Sequence, residues 1–258
     1  MKIFKIIVSF LLIFGILTLM IWAAIKTNDQ TCTGVSVVIH SVGSTELITE
    51  SEVLTILKEK NIEWERKKIK EIKENELISI HKILAEENYI KSVDKVHFLG
   101  TKLQIEITPY DILLAVEPNN GKKFLLDVQG VYLPYSPKVG NDIIIATGFI
   151  SNSFQNKETI TPGNYELYEL LFVASLIKAD PLYETWFKRM DVNEKQEITL
   201  YPFEGNLSVL FGTMEDAENK LKALTYMYKE ALPYVDEGKY AQLDVRFQNR
   251  IVATKSKS

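Results

Sequence analysis

A single cysteine, Cys32, in 258 residues rules out an intramolecular disulfide. Any folded part of the chain must therefore be held by its apolar core alone. Histidine is nearly as scarce: His40, His81 and His97 are the three in the sequence, and their spacing marks no metal set. There is no Gly-x-Ser-x-Gly, no phosphate-cradling glycine loop and no His-Glu-x-x-His, so hydrolase, nucleotide and metalloprotease chemistry have no foothold. Neighbouring carboxylates such as Glu86-Glu87 point in different directions on a helix and make no acid-base pair. Asp111, after Pro109-Tyr110, reads as a boundary contact or turn cap. Positive charge is short as well, with 30 basic against 34 acidic side chains and a net charge of −4. Nucleic-acid binding needs the reverse. Internal repeats and low-complexity tracts are lacking. The sequence thus offers no catalytic, metal-ligating or cofactor-binding residue and no small-molecule substrate. It reads as a protein whose output is contact.

Long apolar runs are also lacking, with one exception. Ile6 to Ile25 contains no charge and only Ser9 and Thr18 as polar members. As a helix rising about 1.5 Å per residue it would span about 30 Å, the hydrocarbon thickness of a bilayer. The run exceeds a signal-peptide core, and Trp22 stands badly for a small-x-small cleavage site. The residues before Cys32, Asp29-Gln30-Thr31, do not suit lipid modification. Lys2 and Lys5 on the short side predict a cytoplasmic N-terminus, with Trp22 near the far interface. The expected layout is a cytoplasmic tail at 1–5, a transmembrane helix at 6–25, a linker at 26–33 and an exported remainder. Setting aside Lys2 and Lys5, that remainder carries a net charge near −6. Cys32 is read as an incidental thiol.

Beyond the run, Gly34 to Ile39 is β-branched and bounded by turn residues, a strand. Thr49 with Glu52 three residues on forms a capping box for a helix carrying Val53, Ile56 and Leu57. Arg66 to Lys73 reads as a solvated charged stretch. A second helix is expected from Leu77 to Glu87, then strands Ser92–Phe98 and Lys102–Thr108 as a hairpin around Leu99-Gly100-Thr101. The order β-α-α-β-β closes a small α+β unit over 34–108, and Pro109 ends it. The second part, 109–258, is expected to be a mixed β-sheet domain with helices. Its strands are expected at Ile112–Val116, Lys123–Asp127, Val131–Leu133, Asp142–Ala146, Tyr183–Met190, Glu197–Tyr201, Leu207–Phe211 and Ala241–Phe247, followed by Ile251–Ala253. Helices are expected at Tyr165–Lys178 and Met214–Leu232.

This order of parts resembles the bacterial cell-division family FtsQ, called DivIB in some lineages. The likeness rests on Cys32 to Ile39 as first strand, on Glu87-Asn88-Tyr89-Ile90-Lys91-Ser92-Val93 before a strand, and on Leu103-Gln104-Ile105-Glu106-Ile107. In the second part it rests on Phe124 to Val131 as a hydrophobic-D-x-x-G hairpin and on Leu243-Asp244-Val245-Arg246-Phe247. Tyr89 stands where the family often has Pro, and Thr108-Pro109-Tyr110-Asp111 departs from its usual hinge.

The resemblance implies an α+β architecture: one N-terminal transmembrane helix, a POTRA domain over 34–108 and a β domain over 109–258. It also implies a non-enzymatic divisome scaffold in the cytoplasmic (inner) membrane at the division septum, with its bulk in the periplasm. That scaffold would link early division components to septal wall synthesis by binding FtsB/FtsL-type coiled-coil proteins. The expected route is strand addition at an edge running from Phe247 to Thr254, with Phe247, Asn249, Arg250, Ile251 and Ala253 in contact. The edge of the first strand, at Val35, Val37 and Ile39, is a second candidate for another membrane partner. The competing expectation is a POTRA-type chaperone or a secretion and outer-membrane assembly component.

Overall fold

A computed structural model describes residues 2–256 except 29, 41–42, 44–45, 63, 65–66, 73, 141–142, 152–153, 162, 204, 235–237 and 248–249; for 2–9 and 24–28 it describes backbone alone. The chain divides into two compact units, Met1–Ser41 with Ile48–Pro109, and Val42–Leu47 with Tyr110–Ser258.

The first unit opens with helix α1 (Lys2–Asn28). Its side chains described between Phe10 and Ala23 are apolar except for Thr18 and almost all exposed, as in Phe10, Leu17 and Trp22. Among the described residues no helix is long and apolar enough to cross a membrane.

Strand β1 (Gly34–Ile39), helices α2 (Glu50–Glu59) and α3 (Glu74–Glu86), and strands β2 (Ile90–Leu99) and β3 (Lys102–Pro109) follow. They form a three-stranded sheet ordered β1-β3-β2, with β1 parallel and β2 antiparallel to β3. The capping box read from the sequence is formed: Glu52 N–H donates to Thr49 Oγ1 at 3.3 Å and Thr49 N–H to Glu52 Oε2 at 3.0 Å. Val53, Leu57, Ile80 and Leu84 from the helices pack on Leu103, Ile105 and Ile107 of the central strand.

The linker expected at 26–33 is fastened down over its last residues. Cys32 N–H donates to Lys67 O at 2.9 Å, Ile69 N–H to Gln30 O at 3.0 Å and Thr33 N–H to Thr101 O at 2.9 Å. Cys32 is buried in this core and its thiol faces Gly34 O at 3.4 Å, so it is a packing residue of the unit.

The second unit is a nine-stranded sheet ordered β12-β11-β10-β9-β8-β7-β4-β5-β6. Its first strands are β4 (Ile112–Pro118), β5 (Phe124–Asp127), β6 (Tyr132–Pro134) and β7 (Ile144–Gly148). Helices α4 (Tyr165–Ala179) and α5 (Pro181–Trp186) lead to β8 (Phe187–Val192), β9 (Ile198–Pro202) and β10 (Ser208–Gly212). Helix α6 (Ala217–Tyr226) precedes β11 (Tyr240–Asp244) and β12 (Val252–Lys255). The β7–β8 and β10–β11 pairs are parallel, so each needs a crossover, supplied by α4 with α5 and by α6. Leu167, Leu170, Val173 and Ile177 of α4 and Leu221 and Leu224 of α6 share one apolar core with the sheet.

Two expectations are corrected here. Residues 181–186 form a helix where the sequence reading placed the start of a strand at Tyr183, and β8 begins at Phe187. The physical reason is local: Asp180 Oδ1 accepts from Leu182 N–H at 2.8 Å and Pro181 fills the first helical turn. The terminal strand is confined to Val252–Lys255, and Phe247 lies outside it.

The Asp127-Val128-Gln129-Gly130 turn explains its own sequence. Asp127 is fully buried, and its Oδ1 accepts from Gln129 N–H at 2.9 Å and Val131 N–H at 2.7 Å. Gly130 adopts φ +78°, and a Cβ there would stand 2.7 Å from Ile160 Cγ1. Removing a charged acceptor from two partly buried amides costs on the order of 2 kcal/mol, so Asp127→Ala should lower the unfolding free energy by roughly that much in chemical denaturation. A loss below about 1 kcal/mol would mean that the turn does not hold the β5–β6 hairpin.

Candidate partner-binding edge

An open sheet has two edges, and each exposes a row of backbone donors and acceptors unless it is covered. In the large sheet the two ends are treated differently. Strand β6 is overlaid by its own loop: Tyr132 N–H donates to Glu158 O at 2.8 Å, Lys157 N–H to Tyr132 O at 2.8 Å and Ile160 N–H to Gly130 O at 2.8 Å. Strand β12 pairs with β11 alone. Among the described residues none hydrogen-bonds to its outer side.

The direction of each β12 amide follows from strand alternation. Ser256 N–H donates inward, to Lys239 O at 2.9 Å. Thr254 and Val252 share that parity, so Ala253 and Lys255 present their N–H groups to the open side. The side chains run the other way about. Ala253 lies opposite buried Leu243 and packs on the core, as Ile251 does. Val252, opposite Asp244, stands 42% exposed.

The segment entering β12 is held by one arginine. Arg246 donates from Nη1 to Glu197 Oε1 at 2.5 Å, from Nη2 to Asp244 Oδ2 at 2.8 Å and from Nε to Asp244 Oδ1 at 3.0 Å. This forked contact ties the chain leaving β11 to the start of β9. Gly212 makes room for it: at φ +79° it has no Cβ, and one would stand 2.9 Å from Arg246 Cγ. The Arg246 guanidinium beside Asp244 holds that carboxyl below its ordinary range, and Glu197 is held low by the Asn193 amide and by Arg246.

A polar cleft of about 570 Å³ lies between this segment and the start of α6. Phe247, Arg250 and Ile251 line it together with Arg246, Lys220 and Glu197. The Arg250 guanidinium sits 4.7 Å from the centre of the Phe247 ring. Lys220 Nζ donates to Thr213 O at 2.9 Å, and burial pulls its pKa down.

Of the five contact residues expected from the sequence, Phe247, Arg250 and Ile251 come together at this cleft, and Ala253 lies on the edge beyond it. Asn249 lies outside the described residues. Arg246, Glu197 and Lys220 were not singled out as site residues. Asp and Arg two apart at the end of a strand, side by side on one face, were the available signal for Arg246. Glu197 and Lys220 come from distant sequence and carried none.

In the small sheet, His40 N–H donates to Ile107 O at 2.9 Å, which by alternation turns the amides of Val35, Val37 and Ile39 to the outer side of β1. Glu50 Oε1 accepts from Val37 N–H there, at 3.3 Å. A carboxylate therefore already occupies the middle of that edge.

Residues 113–254 match the family described as FtsQ/DivIB, C-terminal related. The chain belongs to this family. The matched stretch is more than half of the 258 residues and runs from β4 to the open strand β12. The family is one of non-enzymatic cell-division proteins, so it carries a cell-division role and interactions with other division proteins in general. A search of curated proteins finds no match to this chain. Among the described residues no group of three His, Cys, Asp or Glu is placed to hold a metal ion.

The arginine fork makes the edge sensitive to acid. Asp244 and Glu197 have pKa values lowered in the folded state, so their contribution is complete above the ordinary carboxylate values of 3.8 and 4.5 and is lost as pH falls through the lowered ones. Arg246→Ala should cost about 1 kcal/mol at pH 7 and flatten the fall in stability below about pH 4.5, measured as denaturation midpoints against pH. An unaltered acid limb would remove the fork from the account.

Proposed function

We propose that the protein is a membrane-anchored division scaffold whose β12 edge accepts a strand from an FtsB/FtsL-type coiled-coil partner. The observation that carries this reading is the asymmetry of the large sheet: one edge overlaid by residues 157–160, the other left with a single neighbour. An incoming extended segment would complete the outward N–H groups of Ala253 and Lys255. Its side chains would then meet Val252 and Thr254 on one face, with the Phe247–Arg250 cleft receiving what precedes or follows the strand. Backbone pairing supplies affinity with modest demands on sequence, and the cleft adds selectivity.

The uncharged Ile6 to Ile25 stretch within α1, flanked by Lys2 and Lys5, supports an anchor with its N-terminus in the cytoplasm. Both units would then lie across the inner membrane at the septum, linking early division components to wall synthesis. The order β-α-α-β-β of the first unit supports reading it as a POTRA domain that serves a further membrane partner. With Glu50 on β1, that partner would have to displace a carboxylate or use another surface.

Proline tests the strand-addition reading because it deletes one donor and is tolerated where the N–H faces outward. Ala253→Pro should weaken capture of an FtsB-type periplasmic segment at least tenfold while the denaturation midpoint moves little. The matched Thr254→Pro, whose N–H faces β11, should also lower stability. Capture by Ala253→Pro equal to that of the parent would sink the proposed edge.

A further inference from the structure

We infer that the groove between α4 and the 213–215 loop docks the helix that adjoins the partner's edge strand, and takes one basic side chain from it. The inference rests on the strand-addition reading proposed above. It starts from the surface of α4, which is apolar on two sides. Leu167, Leu170, Val173 and Ile177 are buried in the core. Tyr165, Tyr168, Phe172 and Leu176 run along the opposite side at three- and four-residue spacing, and Tyr165 and Tyr168 stand 60% and 48% exposed. A crossover helix needs one apolar stripe to bury itself on a sheet. The second stripe has the spacing that receives another helix.

Tyr165, Tyr168 and Phe172 border a groove of about 670 Å³, with Thr213, Met214 and Glu215 across it. Glu169 lines it too, 7% exposed, and accepts the backbone N–H of Met214. Two of these lining side chains are carboxylates and, among the described residues, none is basic. Burial pushes the Glu169 carboxyl up. The ammonium that acts on it is Lys220, which also faces Glu215 and Asp216 and donates to Thr213 O at 2.9 Å. One cation thus stands against three carboxylates, and the nearby Arg246 guanidinium is engaged by Asp244 and Glu197. An arriving arginine or lysine supplies the missing charge, with its stem against the Tyr165 and Tyr168 rings.

Position ties the groove to the β12 edge. Strands β7, β8, β10 and β11 run in one direction, so their carboxyl ends lie at the same end of the sheet. Strand β12 begins at that end, where Val252 pairs with Asp244. Thr213 and Glu215 follow β10 there and line both this groove and the Phe247–Arg250 cleft. A partner chain leaving the edge through the cleft therefore meets the groove across a single loop. What a coiled-coil protein offers beside its strand is a helix, the element that the α4 stripe fits.

Binding of an FtsB-type periplasmic segment to the full chain tests this, with the segment used whole and cut back to its edge strand. Glu169→Gln keeps an acceptor for the Met214 amide and removes the charge. It should weaken the whole segment about tenfold, the worth of one charge-assisted contact, and leave the cut-back strand unaffected. Tyr168→Ala should likewise weaken the whole segment alone. Among the basic residues of the segment's helix, one should cost about tenfold when changed to Gln against the parent chain and little against Glu169→Gln. Whole-segment binding that ignores Glu169→Gln and Tyr168→Ala, with Ala253 and Lys255 newly protected in amide exchange, would overturn the groove while the edge stands. Absence of that protection would overturn the edge reading, and the groove with it. A free chain that shifts from dimer to monomer in Tyr168→Ala, with segment affinity unchanged, would assign the groove to a second copy and overturn the inference as well.

Discussion

The interaction on which this molecule turns is the β-ladder hydrogen bond, and above all where the ladder stops. Nine strands satisfy one another's backbone groups across the second unit, and the row has to end somewhere. At β6 the loop 157–160 closes it. At β12, among the described residues, it ends in unmatched donors, the arrangement that proteins ordinarily avoid because it templates association. An edge left open beside a covered one makes sense if a partner closes it.

Holding such an edge in register is the task of the residues around it. Arg246 bridges Asp244 and Glu197, so the chain turns from β11 toward β12 at a fixed place. Ala253 opposite Leu243 and Ile251 against the core keep the apolar face of the edge inward. This leaves backbone and the exposed Val252 and Thr254 for recognition. The first unit solves the same problem by a different means, setting the Glu50 carboxylate against the middle of β1.

Much of this was legible in the sequence because its determinants are local. The capping box at Thr49 and Glu52, the β2–β3 hairpin around Gly100 and the Asp127–Gly130 turn each state their geometry within a few residues. The helix at Pro181–Trp186 was misread although Asp180-Pro181 is a cap and first turn, because the apolar residues after it also suit a strand. Other features depend on partners far apart in the chain. Burial of Cys32 requires Lys67 to accept its amide, and the fork on Arg246 requires Glu197, 49 residues away. Which of the two sheet edges stays open depends on where 157–160 lies, and no local pattern announces that.

The central claim is that backbone on the outer side of β12 is what a division partner binds. Residue-resolved amide exchange on the full chain, with and without an FtsB-type periplasmic segment, addresses it most directly. The account predicts an alternating pattern: strong new protection at Ala253 and Lys255, with Val252 and Thr254 changed little because β11 already holds their amides. Saturating binding that leaves Ala253 and Lys255 exchanging as fast as in the free protein would contradict it.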